Sequence, residues 1–294
     1  MHADEPDLDP DLVARLVAGQ FPRWGDLPVA EVATAGTSNA MYRLGEELVV
    51  RLPRTPGAAA DSGTEHTWLP RLAPALPLPV PVPLERGRPA EGYPWNWSVF
   101  RWLPGERAAP GLPDLTPDDA RRFAVDLGAF LTALHAADPT DGFPAYRSES
   151  LVDRDEVTRA ALAAVGDAVD TAAAVAEWEA ALAAPGPEDA PVWIHADLQP
   201  GNVLLRQGRL GAVIDFGCFG LGDPAVDLIA AWYLLPAHAR DTFRTAVGAD
   251  PDAWRRGRGW ALSVALRELE YYRDVDPVMT ATARHVLAEL LPAG

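Results

Sequence analysis

Residues 192–227, VWIHADLQPGNVLLRQGRLGAVIDFGCFGLGDPAVD, decide how the rest of this 294-residue chain is read. A short apolar run ends at His195, a tight polar loop follows, then a two-strand hairpin and a second acidic loop. Asp197, Asn202 and Asp215 stand at the spacing H-x-D-x-x-x-x-N followed by Asp215-Phe216-Gly217. A lone Asp before a turn is ordinarily a turn or cap residue. Three oxygen-bearing side chains in this order suit a hard cation held beside a free carboxylate. Phosphoryl transfer requires such a set. The moving group spreads negative charge over its oxygens, so Mg²⁺ on oxygen ligands neutralises it while one carboxylate orients the attacking hydroxyl. Asp197 is therefore the expected catalytic carboxylate, and Asn202 and Asp215 the expected metal ligands.

With these three residues the chain resembles the protein-kinase-like fold, and specifically the aminoglycoside phosphotransferase family of small-molecule kinases. Gly222-Asp223-Pro224 and Asp227 look like that family's short G-D-P-x-x-D segment. The resemblance implies that Asp227, with His195, supports the catalytic loop. A protein kinase needs an activation segment and an A-P-E motif here, and there is no room for either. A small-molecule acceptor is the expectation. The implied fold class is α+β, two-lobed: residues 1–103 a small antiparallel β-sheet lobe with one helix and a hinge, residues 104–294 a larger, mainly helical lobe.

The first part of the chain fits that frame. Leu12, Val13, Leu16 and Val17 recur at helical spacing, and Val29–Ala35, Met41–Gly45 and Glu47–Leu52 read as three short strands. By the resemblance, the turn carrying Gly36, Thr37, Ser38 and Asn39 takes the place of the loop that covers the triphosphate; with one glycine, it must cradle phosphate with backbone amides and side-chain hydroxyls. An ordinary hairpin is the plainer reading of it. Arg51 takes the place of the phosphate-contacting lysine, and its guanidinium can grip phosphate oxygens through two donors. Glu65 shares a helical face with Trp68, Leu69 and Leu72 within 61–72, and a carboxylate on an apolar side needs a partner, for which Arg51 is the natural choice. Pro70 is expected to kink or end that helix near Leu69. Pro74–Pro83 reads as an extended crossing, and the strand to Leu103 as the hinge. There the backbone of Phe100 and Trp102 is expected to bind the base, with Arg101 facing solvent or the nucleotide.

Thr116-Pro117-Asp118 opens a core helix that ends at His135, read as a structural histidine. Residues 152–184 suggest two helices broken near Gly166, and the chain from Pro224 reads as helical. The helices named there are 226–235, 254–273 and 279–291. Trp232, Glu268, Tyr271 and Tyr272 are the expected acceptor-binding residues, since carboxylates among aromatics suit a cation. Core aromatics with surface acids are the ordinary alternative.

Composition narrows the partners. All 25 basic residues are arginine, so no lysine can serve the phosphates. The part through Leu103 carries 13 acids and 9 arginines, and the remainder 29 and 16, for a net charge of −17. That balance argues against nucleic acid and anionic membranes and would attract a cationic acceptor. No apolar run reaches the roughly 18 to 20 residues of a membrane span. The acidic start has no signal-peptide core, and the lone Cys218 reads as a small buried filler. A cytoplasmic monomer or weak dimer is expected. The expected activity is transfer of phosphoryl from ATP or GTP, with Mg²⁺, to a hydroxyl of a small cationic antibiotic such as an aminoglycoside. A macrolide, cyclic peptide, choline, homoserine or sugar acceptor, or an inactive nucleotide-binding regulator, is the alternative.

Overall fold

Alternating burial along short strands explains the first of two compact units, Met1–Pro104 with Ala212–Gly217. In this computed structural model, residues 8–32 and 39–291 are described. The expected phosphate-loop residues Gly36, Thr37 and Ser38 lie outside them. The unit holds α1 (Pro10–Gln20), β1 (Val29–Glu31), β2 (Asn39–Leu44), β3 (Leu48–Pro53), α2 (Pro56–Leu72), β4 (Pro83–Gly87) and β5 (Trp97–Arg101). The strands form one antiparallel sheet in the order β1-β2-β3-β5-β4. Its core joins Leu12, Val13, Leu16 and Val17 of α1 to Tyr42, Leu44, Val50, Leu52, Trp97 and Val99. These residues are every second position of β2, β3 and β5, as a half-buried sheet requires. Each such fully buried aliphatic side chain contributes roughly 1.5–3 kcal/mol.

The opposite face of β3 and β5 presents Arg51, Ser98 and Phe100, and residues of α2 meet it. The helix differs from expectation at both ends. It starts at Pro56, where Thr55 Oγ1 accepts from the N–H of Ala58 at 3.3 Å, a Thr-Pro start signal ahead of the expected Asp61. It runs through Pro70 to Leu72. Pro70 lies in the last turn, so only one intrahelical bond is lost there, and buried Leu69 and Leu72 anchor the turn. Helix α1 is the amphipathic helix that the spacing of Leu12, Val13, Leu16 and Val17 predicts.

The second unit is Gly105–Gly211 with Cys218–Gly294. In chain order it contains β6 (Glu106–Arg107), α3 (Pro117–His135), α4 (Asp155–Val165), α5 (Thr171–Leu182), β7 (Val192–Ile194), β8 (Val203–Arg206), β9 (Arg209–Val213), β10 (Gly220–Gly222), α6 (Ala230–Tyr233), α7 (Ala237–Val247), α8 (Pro251–Tyr272) and α9 (Pro277–Leu290). The last two residues of β9 already belong to the first unit. Thr116 caps α3 as its sequence predicts, and Gly166 at φ 54° separates α4 from α5. Buried α8 packs against α4, α5 and α9. A Cβ at Gly259 would come within 2.5 Å of Ala181 Cβ, so only glycine lets α5 sit this close to α8. Antiparallel β7 and β10 pair Ile194 with Gly220, which fixes the chain just before His195. Among the described residues no helix is long and apolar enough to cross a membrane.

Candidate active site

Strand β7 ends at Ile194, and the backbone then turns sharply: Ala196 has φ 65°, a left-handed conformation unusual for a residue with a side chain. A fully buried carboxylate holds it there. Asp227 Oδ1 accepts from the N–H of Ala196 at 2.8 Å, and Oδ2 accepts from the N–H of His195 at 3.0 Å. His135 Nε2 lies 3.1 Å from the same Oδ2. Strain of this kind persists only where surrounding bonds over-determine it. Buried His195 receives the N–H of Asp197 on Nδ1 at 3.2 Å, so that nitrogen is unprotonated and is used inside the loop.

The Asp197 carboxylate is the meeting point of the second unit. Its side chain is 23% exposed. Oδ1 accepts from Arg147 Nη1 at 2.9 Å and from Gln199 Nε2 at 3.0 Å. Oδ2 accepts from Asn202 Nδ2 at 2.9 Å, and the same nitrogen donates to the Asp197 carbonyl at 2.8 Å. Those two bonds fix which end of the Asn202 amide is nitrogen, and no donor reaches the Asn202 Oδ1 among the described residues. Arg147 Nη1 also donates to the carbonyl of Ala196. Burial works against the Arg147 charge, but Asp197, through its charge and its hydrogen bond, acts with Cys218 and Tyr233 to raise its pKa above the usual value.

Behind Asp197 lies a second layer. Gln199 Nε2 donates to Glu268 Oε1 at 2.6 Å, and the Tyr233 hydroxyl donates to Glu268 Oε2 at 2.7 Å. Burial lifts the Glu268 carboxyl from 4.5 to about 7; the Tyr233 hydrogen bond opposes the rise and the Asp197 charge adds to it. Burial and Glu268 together also push the Tyr233 phenol well up.

Asp215 belongs to the first unit. It is exposed, its φ is 63°, and no hydrogen bond or ion pair to its carboxylate occurs among the described residues. An exposed carboxylate on a constrained backbone and an amide oxygen without a donor are both hard-cation ligands, so the residue chemistry fits Mg²⁺. No group of three His, Cys, Asp or Glu side chains among the described residues could hold a metal instead.

The first unit places Arg51 against Glu65, which is 1% exposed, with Nη1 donating to Oε1 at 3.1 Å and Nη2 paired to Oε2. The Arg51 guanidinium stacks 4.8 Å from the centroid of Phe100. Phe100 itself sits in register between Val49 and Pro83, and the N–H of Trp102 donates to the carbonyl of Glu47 at 2.7 Å. The Trp102 donor is therefore committed within the protein, and of its backbone only the carbonyl remains for a base. Asn39 is the first residue of β2, paired with Pro53.

The expected acceptor-binding group divides. Trp232 is 1% exposed, its ring centroid is 4.9 Å from that of Trp254, and the Arg258 guanidinium lies over it, so it is a core residue and not a stacking surface. Glu268 is 8% exposed and each of its oxygens accepts a bond within the protein, which corrects its reading as a free anionic anchor. Tyr271 is 68% exposed and packs edge-on to the half-buried Tyr272. A cavity of about 730 Å³ is lined by Phe143, Leu151, Leu182, Asp223 and Arg256 among others, at the Val192 end of β7 rather than the Asp197 end.

Arg147, Gln199 and Tyr233 were not anticipated. Arg147 meets Asp197 across 50 residues of sequence, and no motif surrounds it. Gln199 had a signal, two residues after Asp197 in the quoted stretch.

A family model described as phosphotransferase enzyme family matches residues 29–260. A homoserine kinase of Gluconacetobacter diazotrophicus is 39% identical over 132 residues, which is 40% of this chain and only 39% of that relative. APH(2")-IIIa, solved with GDP and kanamycin, superposes with a TM-score of 0.74 at 21% identity over 95% of this chain and 97% of that one. A macrolide 2'-phosphotransferase from Brachybacterium faecium gives a TM-score of 0.64 at 24% identity over 97% and 99%.

Proposed function

We propose, since this chain belongs to the phosphotransferase enzyme family, that it moves the terminal phosphoryl group of ATP or GTP to a hydroxyl of a small cationic antibiotic such as an aminoglycoside. The hydrogen-bonded set around Asp197 carries this reading: a carboxylate with one oxygen held by two donors, beside an asparagine whose amide oxygen meets no donor among the described residues. Asp197 takes the acceptor's proton as its oxygen attacks phosphorus. Asn202 and Asp215 would hold Mg²⁺, which supplies charge neutralisation on the phosphate oxygens when bound. Arg51, set by Glu65, contacts the phosphates.

A net charge of −17 favours a cationic acceptor. One observation favours a second reading, a macrolide-like acceptor with fewer charges than an aminoglycoside: Glu268 is 8% exposed and Trp232 1%, so neither offers an open anionic or stacking surface. The macrolide 2'-phosphotransferase is similar to this chain over nearly its whole length. Incubation with Mg²⁺ and ATP or GTP across aminoglycosides, macrolides, cyclic peptides, choline and homoserine decides between them. A phosphate ester on an aminoglycoside supports the first reading and one on a macrolide the second. Metal-dependent nucleotide binding with no ester on any acceptor contradicts both and favours a regulator.

A further inference from the structure

Each oxygen of an ionised carboxylate offers two lone-pair directions. At Asp197 the two oxygens are used unequally. Among the described residues Oδ1 takes two donors, Arg147 Nη1 and Gln199 Nε2, while Oδ2 takes only Asn202 Nδ2. The amide nitrogen of Gln199 has two hydrogens, and both are engaged, one by Asp197 and one by Glu268. Glu268 in turn is fixed through its other oxygen by Tyr233. Gln199 and Glu268 are each 8% exposed, and Tyr233 is fully buried, so water does not compete for these bonds.

We infer that Gln199, Glu268 and Tyr233 form a buried positioning relay which, with Arg147, pins Oδ1 of Asp197 and reserves Oδ2 for the proton of the acceptor hydroxyl. This rests on the phosphotransferase reading and deepens it. In the step itself the acceptor oxygen bonds to the terminal phosphorus, the bond from phosphorus to the nucleoside diphosphate breaks, and the hydroxyl proton passes to Oδ2. Gln199 and Glu268 touch neither substrate; they fix the angle from which Asp197 receives the proton. A misplacement of about 1 Å at such a group costs on the order of 10²-fold in rate.

The charged and titratable groups facing Glu268 are Tyr233 from α6, Asp197 and Arg147 from the loops, and Tyr272 on its own helix. Burial, the Tyr233 bond and the Asp197 charge, in that order, set its carboxyl at about 7. The relay therefore changes protonation near neutral pH, and the change must reach the Gln199 amide.

Three variants and one spectrum test this. Gln199→Leu is expected to lower kcat about 10- to 100-fold with the nucleotide dissociation constant and Tm close to wild type. Glu268→Leu is expected to reproduce that loss, and Glu268→Gln, which can still accept from Gln199 and bond Tyr233, to restore most of it. Wild-type kcat in Gln199→Leu, or equal kcat in the two Glu268 variants, overturns the relay. Side-chain amide NMR of the wild-type protein gives an answer even where a variant fails to fold or no acceptor is turned over. The Gln199 NH₂ signals, assigned by their loss in Gln199→Leu, are expected to move with a midpoint near pH 7. Signals that stay fixed from about pH 5 to 9, a span bracketing a titration of ordinary width, contradict the coupling. Absence of transfer to every acceptor by the wild type, with the amide still titrating, defeats the phosphotransferase reading alone.

Discussion

Two arginine–carboxylate pairs of the second unit look alike in burial and differ in use. Arg256 meets Asp223 through Nε at 2.7 Å and Nη2 at 3.2 Å, and its Nη1 donates to the carbonyl of Pro185 at 2.6 Å. All three nitrogens are engaged. Arg147 meets Asp197 through Nη1 alone, and its other two nitrogens make no hydrogen bond among the described residues. Side-chain exposures are 9% and 15% for the first pair, 12% and 23% for the second. Saturated geometry marks scaffolding: Asp223 caps the turn leading to Asp227 and ties it to α8. Unfilled donor capacity beside a half-open carboxylate marks a working group.

That contrast can be broken by mutation. Arg256→Met removes both guanidinium bonds from half-buried Asp223, which keeps only the N–H of Ala225 among the described residues, and is expected to lower stability by about 1.5–3 kcal/mol, read by urea unfolding; a loss below about 1 kcal/mol would erase the scaffolding role. Arg147→Met is expected to act the other way round. Asp197 can resolvate, so unfolding free energy falls by only about 1 kcal/mol, while kcat falls about 10- to 100-fold with the nucleotide dissociation constant unchanged. Equal stability losses in the two variants would contradict the distinction.

Smaller effects sharpen it. The Glu268 carboxyl is raised from 4.5 to about 7 chiefly by burial, so the native state holds a proton that the unfolded chain releases. This contribution to stability is complete below about 4.5 and is lost as pH rises through about 7. Glu268→Gln, uncharged throughout, is expected to flatten the fall of Tm over that window, and an unaltered slope counts against the buried acid. Least of all, Tyr271→Ala on the exposed end of α8 is expected to change stability by no more than about 0.5 kcal/mol, measured by the same unfolding curves.

Much of this was legible along the chain because it rests on local rules. Thr116-Pro117 starts α3, Gly166 parts α4 from α5, and alternation along β2 and β3 sets the first unit's core. The loop from His195 to Asn202 could be read because its residues meet within a few positions of one another. The relay could not be read so directly. Arg147, Tyr233 and Glu268 join it across 35 to 69 residues, and no period in the sequence announces such meetings. Trp232 misled for a related reason: an aromatic on a helix has the same spacing whether it faces a ligand or, as here, Trp254. Helix α7 falls within the helical reading of the chain from Pro224, but its bounds are not legible because of its eleven residues only Ala239 and Phe243 are buried, too few to make a stripe.

The claim on which all of this depends is that Asp197 receives the acceptor's proton. The direct measurement is phosphorus NMR of the phosphate ester formed from Mg²⁺-ATP and an accepted alcohol by the wild type and by Asp197→Ala, with nucleotide binding followed in parallel. Ester formation slower by about 10²- to 10⁴-fold with nucleotide still bound is the predicted result. Ester appearing at the wild-type rate in Asp197→Ala would contradict it.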